Sequence, residues 1–140
     1  MSLSYLGIDI SKHKLHVALH VHDKPHNKPK LKVFTNDAEG FRALQAWLQQ
    51  QGAQTVHACL EATSTYGEAV AEFLVEHGHP VSIVNPARIK GFAVSELSRS
   101  KTDKADAQLI LRFVMALHPE VWTPPAPEVK QLQGLLRRLD

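Results

Sequence analysis

Cysteine is nearly absent: Cys59 is the one thiol in 140 residues. A lone thiol forms no internal disulfide, which excludes a disulfide-stapled scaffold and fits a reducing compartment. Long apolar runs are absent too. No stretch approaches the roughly 20 apolar residues of a membrane span. No basic segment leads into an apolar run at the N-terminus, so no signal peptide is expected. The expectation is a cytoplasmic protein with no membrane partner. An excess of charge of one sign is also missing. Lys and Arg number 16 against 14 Asp and Glu, for a net charge of +2. That mild basicity permits a nucleic-acid partner without arguing for one. What is present is ordinary for a globule: 44% hydrophobic and 21% charged residues, enough for one real core.

The chain is organised around Tyr5-Leu6-Gly7-Ile8-Asp9-Ile10 and the Ser11-Lys12 that follows. A short apolar run of this kind reads as a buried strand. Asp9 inside it must protonate, pair or bind a cation if it is truly buried. The alternative is an Asp turned to the solvent face, and on this stretch alone both readings stand. Gly7 lets something approach the backbone closely.

From Lys14 to His22, Leu15, Val17, Leu19 and Val21 alternate with mostly polar residues, as in a strand with one wet face. The histidines His13, His16, His20, His22 and His26 lack a companion Cys or acid at ligand spacing, so a solvated strand face is favoured over a zinc site. A polar turn with two prolines leads to a third strand, Leu31 to Thr35. Asn36 or Asp37 caps a helix carrying Phe41, Leu44, Trp47 and Leu48, and Gly52 closes it. Val56 to Leu60 is a fourth strand with Glu61 at its end, Tyr66 to Glu76 a helix, and Val81 to Val84 a fifth strand. Ala87 to Ser100 reads as a flexible, phosphate-facing loop, because basic residues are mixed with glycine and serines. Asp103 to Leu117 is a helix capped by Thr102 or Ser100. Strands alternating with helices after an initial hairpin imply an α/β fold with a mixed five-stranded sheet. Ligands of such sheets sit outside the carboxyl ends of the strands, where Asp9 and Glu61 lie.

Asp103 and Asp106, three apart on a helix, share a face. As first-turn acids they also suit the helix dipole, which is reason enough for them to be there. Glu61 could likewise cap the helix near Tyr66. Together the four acids read as convergent hard-oxygen ligands that select Mg²⁺ or Mn²⁺. Two such ions form the clamp used in phosphodiester chemistry. Lys12, Arg88, Lys90, Arg99, Lys101 and Lys104 are the candidate contacts to a nucleic-acid backbone, though each suits a plain surface as well.

Gly7-Ile8-Asp9-Ile10-Ser11-Lys12, Leu60-Glu61-Ala62-Thr63 with Tyr66, Asn85-Pro86, and Lys101-Thr102-Asp103-Lys104-Ala105-Asp106-Ala107 follow one another in this order. This series resembles the N-terminal domain of the DEDD transposases of insertion-sequence family one-ten, the pilin-gene-invertase-like group. The resemblance implies an RNase H-like, RuvC-type fold and a catalytic, metal-bound tetrad of Asp9, Glu61, Asp103 and Asp106. It implies DNA cleavage and rejoining during transposition, guided in some members by an element-encoded RNA. Ser64 stands where family members often carry glycine. The family's C-terminal domain, with its serine nucleophile, has no counterpart in these residues, so the chain alone is expected to be inactive in recombination.

Two other enzyme readings are weaker. A sugar-kinase or actin-like ATPase also opens with an Asp on its first strand, but glycines follow it there, whereas Ser11-Lys12-His13 follows here. A Holliday-junction resolvase shares the expected fold and acids. A non-catalytic nucleic-acid-binding module with relict acids is the remaining alternative. The expected domains are 1–118, RNase H-like, and 119–140, a proline connector and the start of a coiled-coil helix. Val129, Leu132, Leu136 and Leu139 recur at spacings of three and four, and no stop signal precedes Asp140. The expectation is a piece of a longer chain that self-associates through this helix.

Overall fold

The computed structural model describes residues 3–22, 28–62, 65–95 and 106–124. The described elements run β1 (Ser4–Ile10), β2 (Lys14–His20), β3 (Lys30–Thr35), α1 (Ala38–Gln50), β4 (Val56–Glu61), a 3₁₀ turn (Thr65–Gly67), α2 (Glu68–Glu76), β5 (Val81–Val84), α3 (Pro86–Ser95) and α4 (Ala107–Leu117). The five strands form one sheet in the order β3-β2-β1-β4-β5. β1 is antiparallel to β2 and β2 to β3, while β1–β4 and β4–β5 are parallel. The mixed sheet expected from the element order is therefore present.

Alternation along the strands splits the core in two. Leu6, Ile8, Leu15, Val17, Leu19, Val56, Ala58 and Leu60 face Leu44, Trp47 and Leu48 of α1 and Val70, Ala71 and Leu74 of α2. The other face carries Ala18, Cys59 and Val84 against Ile89 of α3 and Ile110, Leu111, Phe113 and Val114 of α4. Asp37 caps α1 as one of the two expected residues, its Oδ1 accepting from the Gly40 amide at 2.7 Å. Gly52, at φ 81°, follows the last turn of α1 as expected.

Gly7 is where the sheet meets α4. A Cβ there would fall on the Ala107 carbonyl oxygen and lie 2.5 Å from the Leu111 nitrogen. What approaches the Gly7 backbone is thus the first turn of α4.

Three expectations need correction. The segment expected as a loop from Ala87 to Ser100 is helical through Ser95, as α3. Pro86 occupies its first position, the Asn85 side chain accepts from the Ala87 amide at 2.8 Å, and Ile89 and Phe92 anchor it to α4. Anchored burial outweighs the weak propensity of Gly91 and Ser95. The helix expected from Asp103 starts at Ala107, with Asp106 as its cap; residues 96–105 lie outside those described. The helix expected from Tyr66 opens with the 3₁₀ turn and becomes α-helical at Glu68.

Beyond α4, His118 adopts φ 42° and the chain turns along β5. The Trp122 amide donates to the Val81 carbonyl at 2.6 Å. Ser82 Oγ, fully buried, donates to the Pro119 and Glu120 carbonyls at 3.1 and 2.8 Å and meets His57 Nε2 at 2.7 Å. The expected coiled-coil helix lies in residues 125–140, outside those described.

A second buried imidazole sits beside β4. His79 Nδ1 accepts from the Val56 amide at 3.1 Å, and its Nε2 donates to Gln45 Oε1 at 2.8 Å. Protonating Nδ1 would set two N–H groups against each other. Burial, helped by the charges of His118 and His77 respectively, holds His57 and His79 below the usual value of 6.5.

Two predictions follow from these contacts. Gly7→Ala should cost about 1–3 kcal/mol, since overpacking a close backbone contact forces α4 off the sheet. Gly91→Ala has open space around it on a helix and should instead stabilise by about 0.5–1 kcal/mol. Urea midpoints of the two variants should move in opposite directions; a neutral Gly7→Ala would mean that α4 does not rest there. For the buried imidazoles, the unfolded chain takes up protons before the folded one as pH falls. Stability is therefore full above about pH 6.5 and declines from there toward the depressed folded values. The urea midpoint should fall as the pH is taken below about 6.5, and His79→Gln should blunt the drop.

Candidate functional site

The site lies at the carboxyl end of β1, on the face that carries α3 and α4. Gly7 and Asp9 are two apart on a strand, so both point to this face. The last described pair between β1 and β4 is Ile8 with Leu60, which puts Asp9 and Glu61 one step further along adjacent strands. Glu61 is two residues from Cys59 and shares its face. Both acids are half-buried.

Asp106 arrives from the opposite direction. Its backbone is extended, and its Oδ1 accepts from the Leu109 amide at 2.9 Å while its carbonyl accepts from the Ile110 amide at 3.0 Å. It therefore precedes α4 and caps it, rather than sharing a helical face with Asp103, which lies outside the described residues. Because Ala107 rests on Gly7, Asp106 is carried to the edge of β1. Asp9 and Asp106 line one groove of about 350 Å³, together with His16 of β2 and residues of β3. Among the described residues, no three His, Cys, Asp or Glu side chains gather closely enough to hold a metal ion. The described site is a pair of carboxylates in one groove, with Glu61 one strand away on the same face.

The candidate cations divide. Lys12 is exposed in the tight hairpin between β1 and β2, where the Ser11 amide donates to the Lys14 carbonyl at 2.9 Å. Lys90 is exposed on α3. Arg88 is engaged structurally: its Nη1 lies 3.3 Å from Glu120 Oε1, and its guanidinium sits 5.6 Å from the Phe113 ring centroid. The ion pair is exposed and adds little stability; the ring contact orients the side chain. Arg99, Lys101 and Lys104 lie outside the described residues. Cys59 is no nucleophile here. Burial pushes its thiol up to about 12, with Arg88 opposing the rise and Glu61 adding to it.

Two residues sit closer to the site than their sequence readings, a solvated strand face and a helix cap, implied. His16 pairs with Asp9 across the β1–β2 ladder. Counting back from the two-residue hairpin loop would have found it. Asn36 had no signal beyond capping. Its amide donates to the Ser11 carbonyl at 3.0 Å and the Tyr66 carbonyl at 2.9 Å, and its backbone N–H donates to His13 at 2.9 Å. It ties the hairpin after Asp9 to the turn after Glu61.

Comparison with known proteins bears on the family and the fold. The family model for the DEDD transposases of insertion-sequence family one-ten, described as a transposase, matches residues 6–140. The pilin gene-inverting protein of Moraxella bovis is 38% identical over 140 residues, covering 99% of this chain and 42% of that protein. Its Moraxella lacunata counterpart is 37% identical with the same coverage. The chain thus spans less than half the length of the curated relatives it matches. Among solved structures, T. thermophilus RuvC in complex with Holliday junction substrate matches with a TM-score of 0.52 at 15% identity, over 78% of this chain and 90% of that one. That likeness shows the fold, the RNase H-like arrangement expected from the sequence.

The two roles of Asp106 are separable. Asp106→Asn should retain the cap, whereas Asp106→Ala should lose about 1 kcal/mol of stability. Equal unfolding midpoints for the two variants would contradict the capping geometry.

Proposed function

Because the chain belongs to the DEDD transposases of insertion-sequence family one-ten, we propose that it is the part of a transposase that grips DNA at the Asp9–Asp106 groove and supplies the carboxylates for metal-dependent strand cleavage and rejoining. The observation that carries this reading is the shared groove: a strand-end acid and a helix-capping acid, 97 residues apart by their numbering, open into one space.

The donor set fits a hard divalent cation. Asp9, Glu61, Asp103 and Asp106 are all carboxylates, and oxygen ligands suit Mg²⁺ or Mn²⁺. Bound there, one or two such ions supply the charge stabilisation that phosphodiester cleavage needs. The chain's own groups do the rest. Asp9 holds its place because β1 is pinned on both sides by β2 and β4. Asp106 is fixed by its cap bond and by the seat of Ala107 on Gly7. Asn36 keeps the Lys12 hairpin in register with the turn at Tyr66, so that Lys12 meets a phosphate from a set position. Lys90, and the residues Arg99, Lys101 and Lys104, extend the basic rim.

Recombination of the kind named for the gene-inverting relatives is assigned to the whole protein. An element-encoded guide RNA and self-association through residues 127–140 belong to the same proposal. This chain alone binds nucleic acid and metal without completing the reaction.

Mn²⁺ or Mg²⁺ should raise the melting temperature of the chain, since a ligand that binds the native state stabilises it by about 2.7 kcal/mol at a hundredfold excess over Kd. Asp9→Asn should abolish the rise. An undiminished rise in the variant would remove Asp9 from the site.

A further inference from the structure

The groove beside Asp9 has a floor that the carboxylates do not explain. On the α3–α4 face, α4 covers Ala18 of β2 but leaves β3 open. Leu31 is 58% exposed and Val33 is 49% exposed. Both point to this face, because Leu31 pairs with Ala18 and Val33 with His16. On the opposite face of β3, Phe34 is buried on Trp47 with ring centroids 5.7 Å apart, and the exposed Lys32 holds its Nζ 5.9 Å from the Phe34 centroid. Two aliphatic side chains and an imidazole thus line the same groove of about 350 Å³ as Asp9 and Asp106, with His16 standing between Asp9 and Val33 across the sheet.

We propose that Leu31, Val33 and His16 form a subsite for one nucleotide whose base has left the duplex stack, next to the phosphate that the acids address. The proposal rests on the nucleic-acid reading of the Asp9–Asp106 groove and deepens it. The occupant follows from continuity and chemistry. Aliphatic side chains and an imidazole ring accept the flat face of a base, and they do so for any base, because every base has such a face. The acids of the same groove suit the polar, cation-accompanied part of the same nucleotide. The volume lies within the range of about 300–1,000 Å³ typical of small-molecule sites. Apolar side chains left open on an edge strand are an association hazard unless something covers them; here the uncovered pair lies only where the groove runs. The DNA gripped here is therefore locally melted, gapped or branched rather than intact duplex.

The test uses this chain and its Leu31→Ser/Val33→Ser variant. Both positions are exposed, and an unchanged unfolding midpoint confirms that the variant is folded. Each protein is titrated in Mg²⁺ against an intact duplex and against the same duplex with one unpaired 2-aminopurine nucleotide beside a gap. The parent chain should prefer the gapped DNA by about tenfold, within the range of base-stacking energies, and should change the 2-aminopurine fluorescence. The variant should bind both DNAs equally, with no fluorescence change. Equal binding of both DNAs by the parent chain, or an undiminished preference in the variant, overturns the subsite and leaves the nucleic-acid reading standing. Failure of the parent chain to bind either DNA overturns both. Sedimentation of the free proteins supplies the remaining check. If the parent chain is a dimer and the variant a monomer, a second copy covers β3 and the nucleotide subsite is wrong.

Discussion

The contact on which the site depends is the seat of α4 on Gly7. With no side chain at position 7, the Ala107 carbonyl and the Leu111 backbone lie directly on β1. Asp9 is two residues along that strand, and Asp106 is one residue ahead of that helix. The alternation of the strand and the cap of the helix then put both carboxylates at one groove. A methyl group at Gly7 would separate them without touching either. Glycine here is a constraint on the distance between two acids, imposed through packing.

The two faces of the sheet differ in how completely they are covered. α1 and α2 bury the first face across to Phe34 of β3. α3 and α4 bury β4, β1 and Ala18 of β2, then stop. The groove exists because the second layer is narrower than the sheet beneath it. Both ends of the layer are tied down: Asn36 holds the hairpin after β1, and at the far edge of the sheet the chain beyond α4 is bonded to β5 through Ser82 and Val81. His57 in β4 and His79 just before β5 are buried hydrogen-bonding groups that serve the scaffold rather than the site.

Much of this was legible in the sequence. The strands were visible because β2 alternates cleanly and β4 and β5 are short apolar runs, and Asp37 and Gly52 carried ordinary cap chemistry. Gly7 signalled a close approach, but a sequence has no means of naming what approaches. α3 was misread because propensity undervalues a segment whose helicity comes from Ile89 and Phe92 packing on α4. The start of α4 was placed too early because Ser100, Thr102, Asp103 and Asp106 all suit an N-cap, and the choice among them is made by tertiary contact with Gly7. Asp9 and Glu61 were found as strand-end acids; their shared face followed only from the register. His16 reads as part of a solvated strand face and Asn36 as a helix cap, because an exposed His on an alternating strand and an Asn before a helix are common in ordinary surfaces.

The central claim is that α4 brings Asp106 to Asp9 as a pair able to hold a divalent cation. Anomalous diffraction from crystals of this chain soaked in Mn²⁺ tests it most directly. The account predicts a manganese peak between the Asp9 and Asp106 carboxylates, with Ala107 still resting on Gly7. A crystal that binds manganese elsewhere, or not at all, while the two carboxylates remain in one groove would contradict it.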